Sequence, residues 1–169
     1  MTAQFPNRTW GSRTSLISRA AVKFSSTKVG SRAIQCLIPW DRKLLQRTDG
    51  RYTMLGPIGA PTVLLTTIGR KSGAPRTSPL LYAHGGDVLY IIGSNFGGPN
   101  HPAWTLNLLA HPEAEVALAG ERIPVRAKLI EDPAEKERVF GLFTDIASTY
   151  TAYRSRTTRD LRIFELRRA

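Results

Sequence analysis

The chain has 169 residues, of which 41% are hydrophobic and 22% charged, a composition typical of one globular domain with its own hydrophobic core. Its formal net charge of +11 indicates an acidic partner, namely nucleic acid, an anionic membrane surface or a polyanionic small molecule. The single cysteine, Cys36, excludes an intrachain disulfide framework and a zinc site built from cysteines.

The N-terminal part of the sequence decides the expected location of the protein. No stretch reaches the roughly 20 apolar residues that cross a bilayer, and no signal-peptide pattern precedes the apolar run AIQCLIPW. The first 40 residues carry six serines and no acidic residue, which also fits an organelle transit peptide. We expect a cytoplasmic protein and keep the transit peptide as an alternative.

Residues 1–12 show no hydrophobic period and are predicted to form a loose tail. From Arg13 to Phe24 the apolar residues recur on one helical face, which predicts a short basic amphipathic helix. This helix either packs on its own domain or contacts the inner surface of an anionic membrane. Residues 1–51 hold ten Lys or Arg and two Asp, so a net charge of +8 lies in this part of the chain.

A second short helix is predicted from Asp41 to Thr48, because Pro39 precedes it and Gly50 provides a C-terminal cap. Beyond Gly50 the sequence changes to short β-branched and apolar runs that are typical of strands. The predicted strands are PTVLLTTI (61–68), RTSPLLYA (76–83), VLYIIGS (88–94), EVAL (115–118), RIPVRAKLI (122–130) and RIFELR (162–167).

Three features shape the expected fold beyond the strands. Pro79 gives the second strand an irregular or edge position, since proline cannot donate to a ladder. Helices are predicted to begin at Pro102 and at Pro133, the latter running to about Tyr153. Strands at hairpin spacing with helices between them predict a small antiparallel β-barrel, whose ligand site lies on loops at the rim or in a groove.

The turn GRKSGAPR, residues 69–76, concentrates positive charge between two strands. Its glycines allow a ligand to approach the backbone, and successive N–H groups in such a turn can form an anion-binding nest. The alternative is a solvated hairpin tip whose cations serve solubility. A P-loop is excluded because a strand follows instead of a helix. The side chains that would meet an anion are Arg70, Lys71, Ser72 and Arg76.

The stretch GSNFGGPNHPAWTLNL, residues 93–108, also leaves a strand, turns through two glycines and enters a helix. The helix start would offer N–H groups to an anion, and Trp104 would lie against a planar ring. Asn107 would bond back to the loop. In the alternative, Trp104 and Leu108 are core residues and Asn107 is a buried polar residue bonded to backbone.

Tyr150 and Tyr153 end an apolar stripe that includes Val139, Phe143 and Ile146 at helical spacing. Tyrosines on such a stripe are usually core residues, so a functional role requires their hydroxyls to emerge at the groove.

Other chemistry finds little support in the sequence. His84 and His111 lie in predicted turns and His101 precedes Pro102, and no pair has metal-ligand spacing, so no metal is expected. Ser94 lacks the context of a nucleophile elbow, and Asp87 is the sole acid between Gly50 and Ala110, which argues against paired-carboxylate catalysis. A site that binds anions but offers few acids or bases suits an enzyme whose reactive group is a borrowed cofactor.

Three stretches together carry a resemblance: TTIGRKSGAPRTSPLLY, GSNFGGPNHPAWTLNLLAHPEAEV and YTAYRSRT. In this order and spacing they resemble the deazaflavin-dependent nitroreductases, actinobacterial enzymes that use coenzyme F420 and are also described as quinone reductases. The resemblance runs from about Pro61 to the C-terminus. It implies a mainly β fold with helices (α+β), a split β-barrel related to FMN-binding split barrels. We accordingly divide the chain into a basic helical extension, residues 1–50, and a deazaflavin-binding domain, residues 51–169.

The resemblance also implies a mechanism, in which reduced coenzyme F420 gives a hydride to an electron-poor acceptor such as a quinone or nitroaromatic. Ser94, Tyr150 and Tyr153 would be the catalytic donors. The cofactor's phosphate and oligoglutamate tail would meet Arg70, Lys71, Ser72 and Arg76. The strand residues beside the cofactor would be Thr77, Ser78, Pro79, Leu80 and Leu81. The residues approaching its ring would be Ile92, Gly93, Ser94 and Asn95, with Ala103, Trp104, Thr105, Leu106 and Asn107 closing on it.

The sequence departs from some family members at two positions, with Ala147 where they have a third tyrosine and Asn95 where they have lysine. Activity on nitro drugs therefore does not transfer automatically. Three other functions stay open: an FMN-binding barrel oxidase, a cofactor carrier without turnover, and a basic protein that binds nucleic acid. The last is not expected, because most of the excess charge lies in one helical segment and the strands lack interleaved aromatic and basic residues. A basic start is common in the membrane-associated branch of the family, which acts on quinones.

Overall fold

The computed structural model describes residues 4–7, 11 and 14–169. The predicted start of the first helix at Arg13 and most of the predicted loose tail lie outside these ranges. Within the described part of the tail, Phe5 is buried in the main core, and its N–H donates to the Gly86 carbonyl at 3.2 Å. The prediction of a loose tail is therefore wrong at Phe5, because one aromatic side chain packs there without any periodic signal around it.

The described residues form six strands: β1 (Thr62–Ile68), β2 (Pro75–His84), β3 (Val88–Ile92), β4 (Glu113–Leu118), β5 (Glu121–Leu129) and β6 (Ile163–Arg168). These strands pair antiparallel and close a barrel in the order β1-β2-β3-β6-β5-β4. Along β5, the buried residues Ile123, Val125 and Ala127 alternate with exposed ones, as expected for a strand with one face in the core. The predicted fold class, a mainly β split barrel with added helices, is confirmed.

Strand β2 pairs with β3 over only part of its length within the closed barrel. Strand β2 pairs with β1 over residues 75–81, whereas it pairs with β3 over residues 82–84. Among the described residues, the segment 75–81 therefore has one edge that forms no ladder pairs with β3. Pro79 lies in this segment, so the predicted edge position is correct and the missing N–H disturbs no ladder bond on that side.

The N-terminal segment forms two helices, α1 (Leu16–Ser25) and α2 (Lys28–Arg47). The predicted helix from Asp41 to Thr48 is too short, because α2 begins after the N-cap Thr27 and contains Pro39 in its interior. An interior proline costs about 3 kcal/mol, which the apolar contacts of α2 with the barrel offset. The Asp41 carboxylate also anchors α2, since it accepts from Met54 N–H at 2.7 Å and Thr53 Oγ1–H at 2.9 Å.

The apolar face predicted for the first helix packs on the domain only in part. Leu16 and Ile17 are 82% and 78% exposed, whereas the neighbouring face of α1 turns Ser18 and Val22 towards the protein. No described helix is long and apolar enough to span a bilayer. The division at residue 50 stays a prediction, and α2 contacts both β1 and β2.

Three further helices complete the described chain: α3 (Ala103–Ala110), α4 (Pro133–Ile146) and α5 (Thr149–Ser155). The prediction of one helix from Pro133 to Tyr153 is wrong, because Ala147 is extended, with φ at −152°, and separates α4 from α5. The apolar stripe gave no sign of this break, since neither alanine nor the following serine is a strong helix breaker. The break still buries both tyrosines of the stripe with Phe143 in one cluster outside the barrel.

Candidate functional site

A cavity of about 490 Å³ lies between the N-terminal helices and the open edge of β2. The turn after β3, the start of α3 and helix α5 form its remaining walls. Ten residues predicted for the site line this cavity: Ser78, Pro79, Leu80, Leu81, Ile92, Ser94, Asn95, Trp104, Tyr150 and Tyr153. Residues that are up to 75 positions apart in the sequence are thus brought together around one space.

The cationic hairpin lies outside the lining of this cavity, at the N-terminal end of β2. Arg70, Lys71, Ser72 and Arg76 are all exposed there. The hairpin is closed by its own backbone, since Gly69 N–H donates to Ala74 at 2.9 Å and Gly73 N–H donates to Gly69 at 2.7 Å. These two amides are therefore not available to an anion, whereas the charged side chains of the hairpin are exposed.

Asn107 fixes the hairpin to the body of the protein. Its Oδ1 accepts from the Arg70 N–H at 3.1 Å, and its Nδ2–H donates to Thr67 Oγ1 at 3.0 Å. Asn107 is buried, so both bonds lie in a region from which water is largely excluded. The prediction that Asn107 bonds back to the loop before α3 is wrong about the loop, because its side chain bonds the β1–β2 hairpin instead, and the alternative of a buried polar residue bonded to backbone describes it better.

The start of α3 packs closely on the end of β3. Trp104 is 6% exposed and packs against Phe164 at a ring distance of 5.8 Å, while one edge reaches the cavity. A Cβ at Gly93 would lie 2.8 Å from Thr105 Cγ2, so glycine is needed for this approach. Of the other residues predicted here, Thr105 is buried, Leu106 is half-buried and Ala103 is exposed, and none of the three lines the cavity.

Thr77 of β2 lies between the hairpin and the part of the strand that lines the cavity. Thr77 is half-buried, and Gln46 of α2 donates Nε2–H to its Oγ1 at 3.0 Å. Helix α2 thereby reaches the strand residue that lies next to Arg76, while the following residues of β2 line the cavity.

The two tyrosines predicted as catalytic donors are 5% and 6% exposed and pack against each other at a ring distance of 5.8 Å. Burial raises the pKa of Tyr150 well above its ordinary value, and the neighbouring Tyr153 adds to this effect. Burial also raises the pKa of Tyr153, although hydrogen bonds from its surroundings oppose the shift. Both phenols therefore stay protonated at neutral pH.

Tyr153 also holds the N-terminal helices in place. Its hydroxyl donates to the Ser25 carbonyl at 3.3 Å, and Arg156 donates to Ser31 Oγ at 3.2 Å and to the Ser26 carbonyl. The turn between α1 and α2 is thus tied to α5 directly over the cavity.

The sequence did not predict the wall that the N-terminal helices give to the cavity. These side chains are mostly apolar: Ala21, Val22, Phe24, Ala33, Ile34, Leu37 and Ile38. The helical spacing of Ile34, Leu37, Ile38 and Leu45 was available as a signal. It does not enter the prediction because a proline usually marks a helix boundary, whereas Pro39 lies inside α2. Ala147 also lines the cavity, where its methyl leaves space that a tyrosine would fill.

Arg159 is a second residue that the sequence did not single out. It lies between α5 and β6, and its guanidinium donates to three carbonyls of the loop that follows β3. Burial lowers the pKa of Arg159 from its ordinary value, as does the charge of Arg162. Among the described residues, no group of three or more His, Cys, Asp or Glu is arranged to hold a metal.

Comparison with known proteins adds three findings. The sequence profile of the F420H(2)-dependent quinone reductases matches residues 41–167. An F420H(2)-dependent quinone reductase of Mycobacterium tuberculosis is 37% identical over 124 residues, which are 72% of this chain and 83% of that protein. A solved structure of an F420-H2 dependent reductase, FDR-A, superposes with a TM-score of 0.58 at 31% identity, covering 63% of this chain and 93% of that one.

Proposed function

The chain belongs to the F420H(2)-dependent quinone reductase family, and we propose that it is an oxidoreductase that uses reduced coenzyme F420 to reduce a quinone or a similar electron-poor acceptor. The observation that carries this proposal is the joining of an exposed cationic hairpin to a largely apolar cavity along a single strand, β2. A cofactor with an anionic tail and a planar ring needs the cationic hairpin for its tail and the apolar cavity for its ring.

The residues present fit such a cofactor. Arg70, Lys71 and Arg76 provide exposed cations for a phosphate and carboxylates, and Arg binds these groups through paired hydrogen bonds. The free edge of β2 gives a flat ring access to strand backbone beside Trp104. When bound, reduced coenzyme F420 would supply the hydride, so the protein has to supply position and proton donors.

Ser94, Tyr150 and Tyr153 are proposed as the donors that face the acceptor. Hydride transfer to a quinone places negative charge on its oxygen, and hydrogen-bond donors aimed at that oxygen lower the barrier. The raised pKa values keep both phenols protonated, which suits this role. Because the Tyr153 hydroxyl donates to the Ser25 carbonyl, its use by an acceptor requires exchange of that hydrogen bond.

The outer face of the N-terminal helices is proposed to contact the inner surface of the cell membrane. Leu16, Ile17 and Trp40 are 82%, 78% and 66% exposed, and basic residues surround them. Exposed apolar side chains among cations are typical of helices that lie on anionic bilayers. A cytoplasmic enzyme in this position would meet lipophilic quinones through the wall formed by α1 and α2.

This membrane proposal is tested by flotation with vesicles. We expect the chain to float with vesicles that contain anionic phosphatidylglycerol and to remain behind with neutral phosphatidylcholine. Replacement of Leu16 and Ile17 by Gln should abolish flotation. The control is Arg126→Gln on β5, which removes one positive charge outside the N-terminal helices and should leave flotation unchanged. Equal recovery of the wild type and the double variant would contradict it.

The proposed reaction is tested by titrating the purified chain with oxidised coenzyme F420 and following its fluorescence. The reduced form is then mixed with a series of quinones. We expect saturable binding and turnover, with little affinity for FMN. Preference for FMN would favour a flavin oxidoreductase, and tight binding without turnover of any quinone or nitroaromatic would favour a cofactor carrier.

A further inference from the structure

The loop between β3 and α3, residues 93–102, carries backbone strain at the edge of the cavity. Asn95 and Phe96 have φ values of 46° and 53°, and Gly97 follows with 74°. Residues with a side chain rarely adopt this left-handed region, and they remain there only where surrounding contacts hold them. Ser94, which precedes the strained run, lines the cavity.

Arg159 provides such contacts from outside the loop. Its Nη1–H donates to the Gly93 carbonyl at 2.9 Å and its Nη2–H to the Ser94 carbonyl at 2.6 Å. Its Nε–H donates to the Gly98 carbonyl at 3.0 Å. These three acceptors bracket the strained run on both sides. A planar guanidinium has donors in fixed directions, so one side chain can hold all three carbonyls, which a lysine ammonium cannot reproduce.

We propose that Arg159 is a positioning residue for hydride transfer, which acts by holding the strained loop so that Ser94 has a fixed place in the cavity. The inference rests on the proposed function, because it gives the loop a role in that reaction. Arg159 itself does not line the main cavity. Its effect therefore passes through Ser94 and through the contacts of the loop with α5.

The loop is packed against α5 as well as against Arg159. The Phe96 ring lies 5.5 Å from the Tyr153 ring, edge to face. A Cβ at Gly97 would lie 2.6 Å from the Tyr153 carbonyl, so only glycine permits this approach. A relaxed loop would disturb both proposed donors, Ser94 and Tyr153. The cationic hairpin is a separate element, so binding of the cofactor tail should change much less than turnover.

Three variants separate positioning from general stability. Arg159→Met removes the guanidinium and keeps an unbranched stem, whereas Arg159→Lys keeps the charge but cannot bridge three carbonyls. Arg126→Met is the matched control, because Arg126 is exposed on β5 and pairs with Glu113 at 2.9 Å. If Arg159→Met does not fold, Arg159→Lys carries the same comparisons.

Hydrogen–deuterium exchange of the chain without cofactor reports on the loop directly. In Arg159→Met we expect peptides over residues 93–101 to exchange at least tenfold faster, with a smaller increase in Arg159→Lys. Peptides over residues 69–76 should not change, and Arg126→Met should match the wild type in both regions.

Kinetics then test the role in the reaction. For Arg159→Met we expect kcat for quinone reduction to fall about 10- to 100-fold, the range that small misplacements of reacting groups cost. The Kd for oxidised coenzyme F420 should stay within threefold. Unchanged exchange in both Arg159 variants would overturn the proposal, as would faster exchange with kcat within twofold of wild type. Absence of turnover in the wild-type chain would instead overturn the proposed function, whatever the exchange data show about the loop.

Discussion

The two ends of the candidate site are built in opposite ways. The hairpin of residues 69–76 is exposed, cationic and closed by hydrogen bonds between near neighbours. The cavity is largely apolar, and its wall combines side chains from α1 and α2 with the edge of β2, the strained loop and α5. One end is thus local in sequence and exposed in its side chains, whereas the other depends on tertiary packing.

This difference assigns different tasks to the two ends. Exposed charges on flexible stems attract and retain an anion without fixing it closely. A packed apolar cavity sets the distance and angle between reacting groups, on which rate depends steeply. Changes at the hairpin should therefore alter affinity, and changes at the cavity should alter stability and turnover.

The largest effect is expected at the packed end. Trp104→Ala should lower the free energy of unfolding by about 3–5 kcal/mol, because it removes a buried aromatic side chain from the barrel core. Urea denaturation measures this loss. The matched control is Trp40→Ala, since Trp40 is 66% exposed on α2 and such surface changes usually stay within about 0.5 kcal/mol. Equal losses in both variants would contradict the packing described.

Next in size are changes to the charged end. Lys71→Ala or Arg76→Ala should weaken binding of oxidised coenzyme F420 by about 1–3 kcal/mol, the worth of a hydrogen bond to a charged group. The free energy of unfolding should hardly change, because both side chains are exposed. Fluorescence titration checks the affinity, with Arg126→Ala as the control. Unchanged affinity in both variants would remove the hairpin from the cofactor site.

Asn107 joins the two ends, and its loss should affect both to a smaller degree. Asn107→Leu leaves the Arg70 N–H and the Thr67 hydroxyl without this partner, which should cost about 1–2 kcal/mol of stability. Affinity for the cofactor should fall as well, since the hairpin loses its anchor. Asn107→Asp keeps the acceptor for the Arg70 N–H but loses the donor to Thr67 Oγ1 and buries a charge, so it should restore little stability. A binding defect without any loss of stability would show that Asn107 acts in another way.

The smallest expected effect is the dependence of stability on pH through His101. Partial burial and then the charges of Arg162 and Arg159 lower the pKa of His101 from its ordinary 6.5, Lys136 adds to this, and Asp160 opposes it. The unfolded chain therefore binds more protons in the window just below pH 6.5, so stability should rise with pH through that window and level off above it.

Thermal unfolding at a series of pH values measures this dependence. His101→Gln, which retains a neutral acceptor for Arg159, should flatten the curve below pH 6.5. A curve that is the same in the variant and the wild type would show that His101 does not contribute.

The sequence predicted the local end of the site better than the packed end. The hairpin could be predicted from charges and glycines within eight residues. The strands of the barrel could be predicted from their short apolar runs. The family resemblance predicted Tyr150 and Tyr153 as site residues, and both line the cavity. The break at Ala147 and the interior position of Pro39 escaped prediction, because tertiary contacts overrode weak local preferences in both places. Arg159 gave no signal, since its role depends on three carbonyls more than 60 residues away.

The most direct test of the central claim is a crystal structure of the chain with oxidised coenzyme F420. The account predicts the phosphate and carboxylates within hydrogen-bonding distance of the side chains of Arg70, Lys71 and Arg76, and the ring in the cavity beside Trp104. A cofactor bound elsewhere, with this hairpin facing bulk solvent, would contradict it.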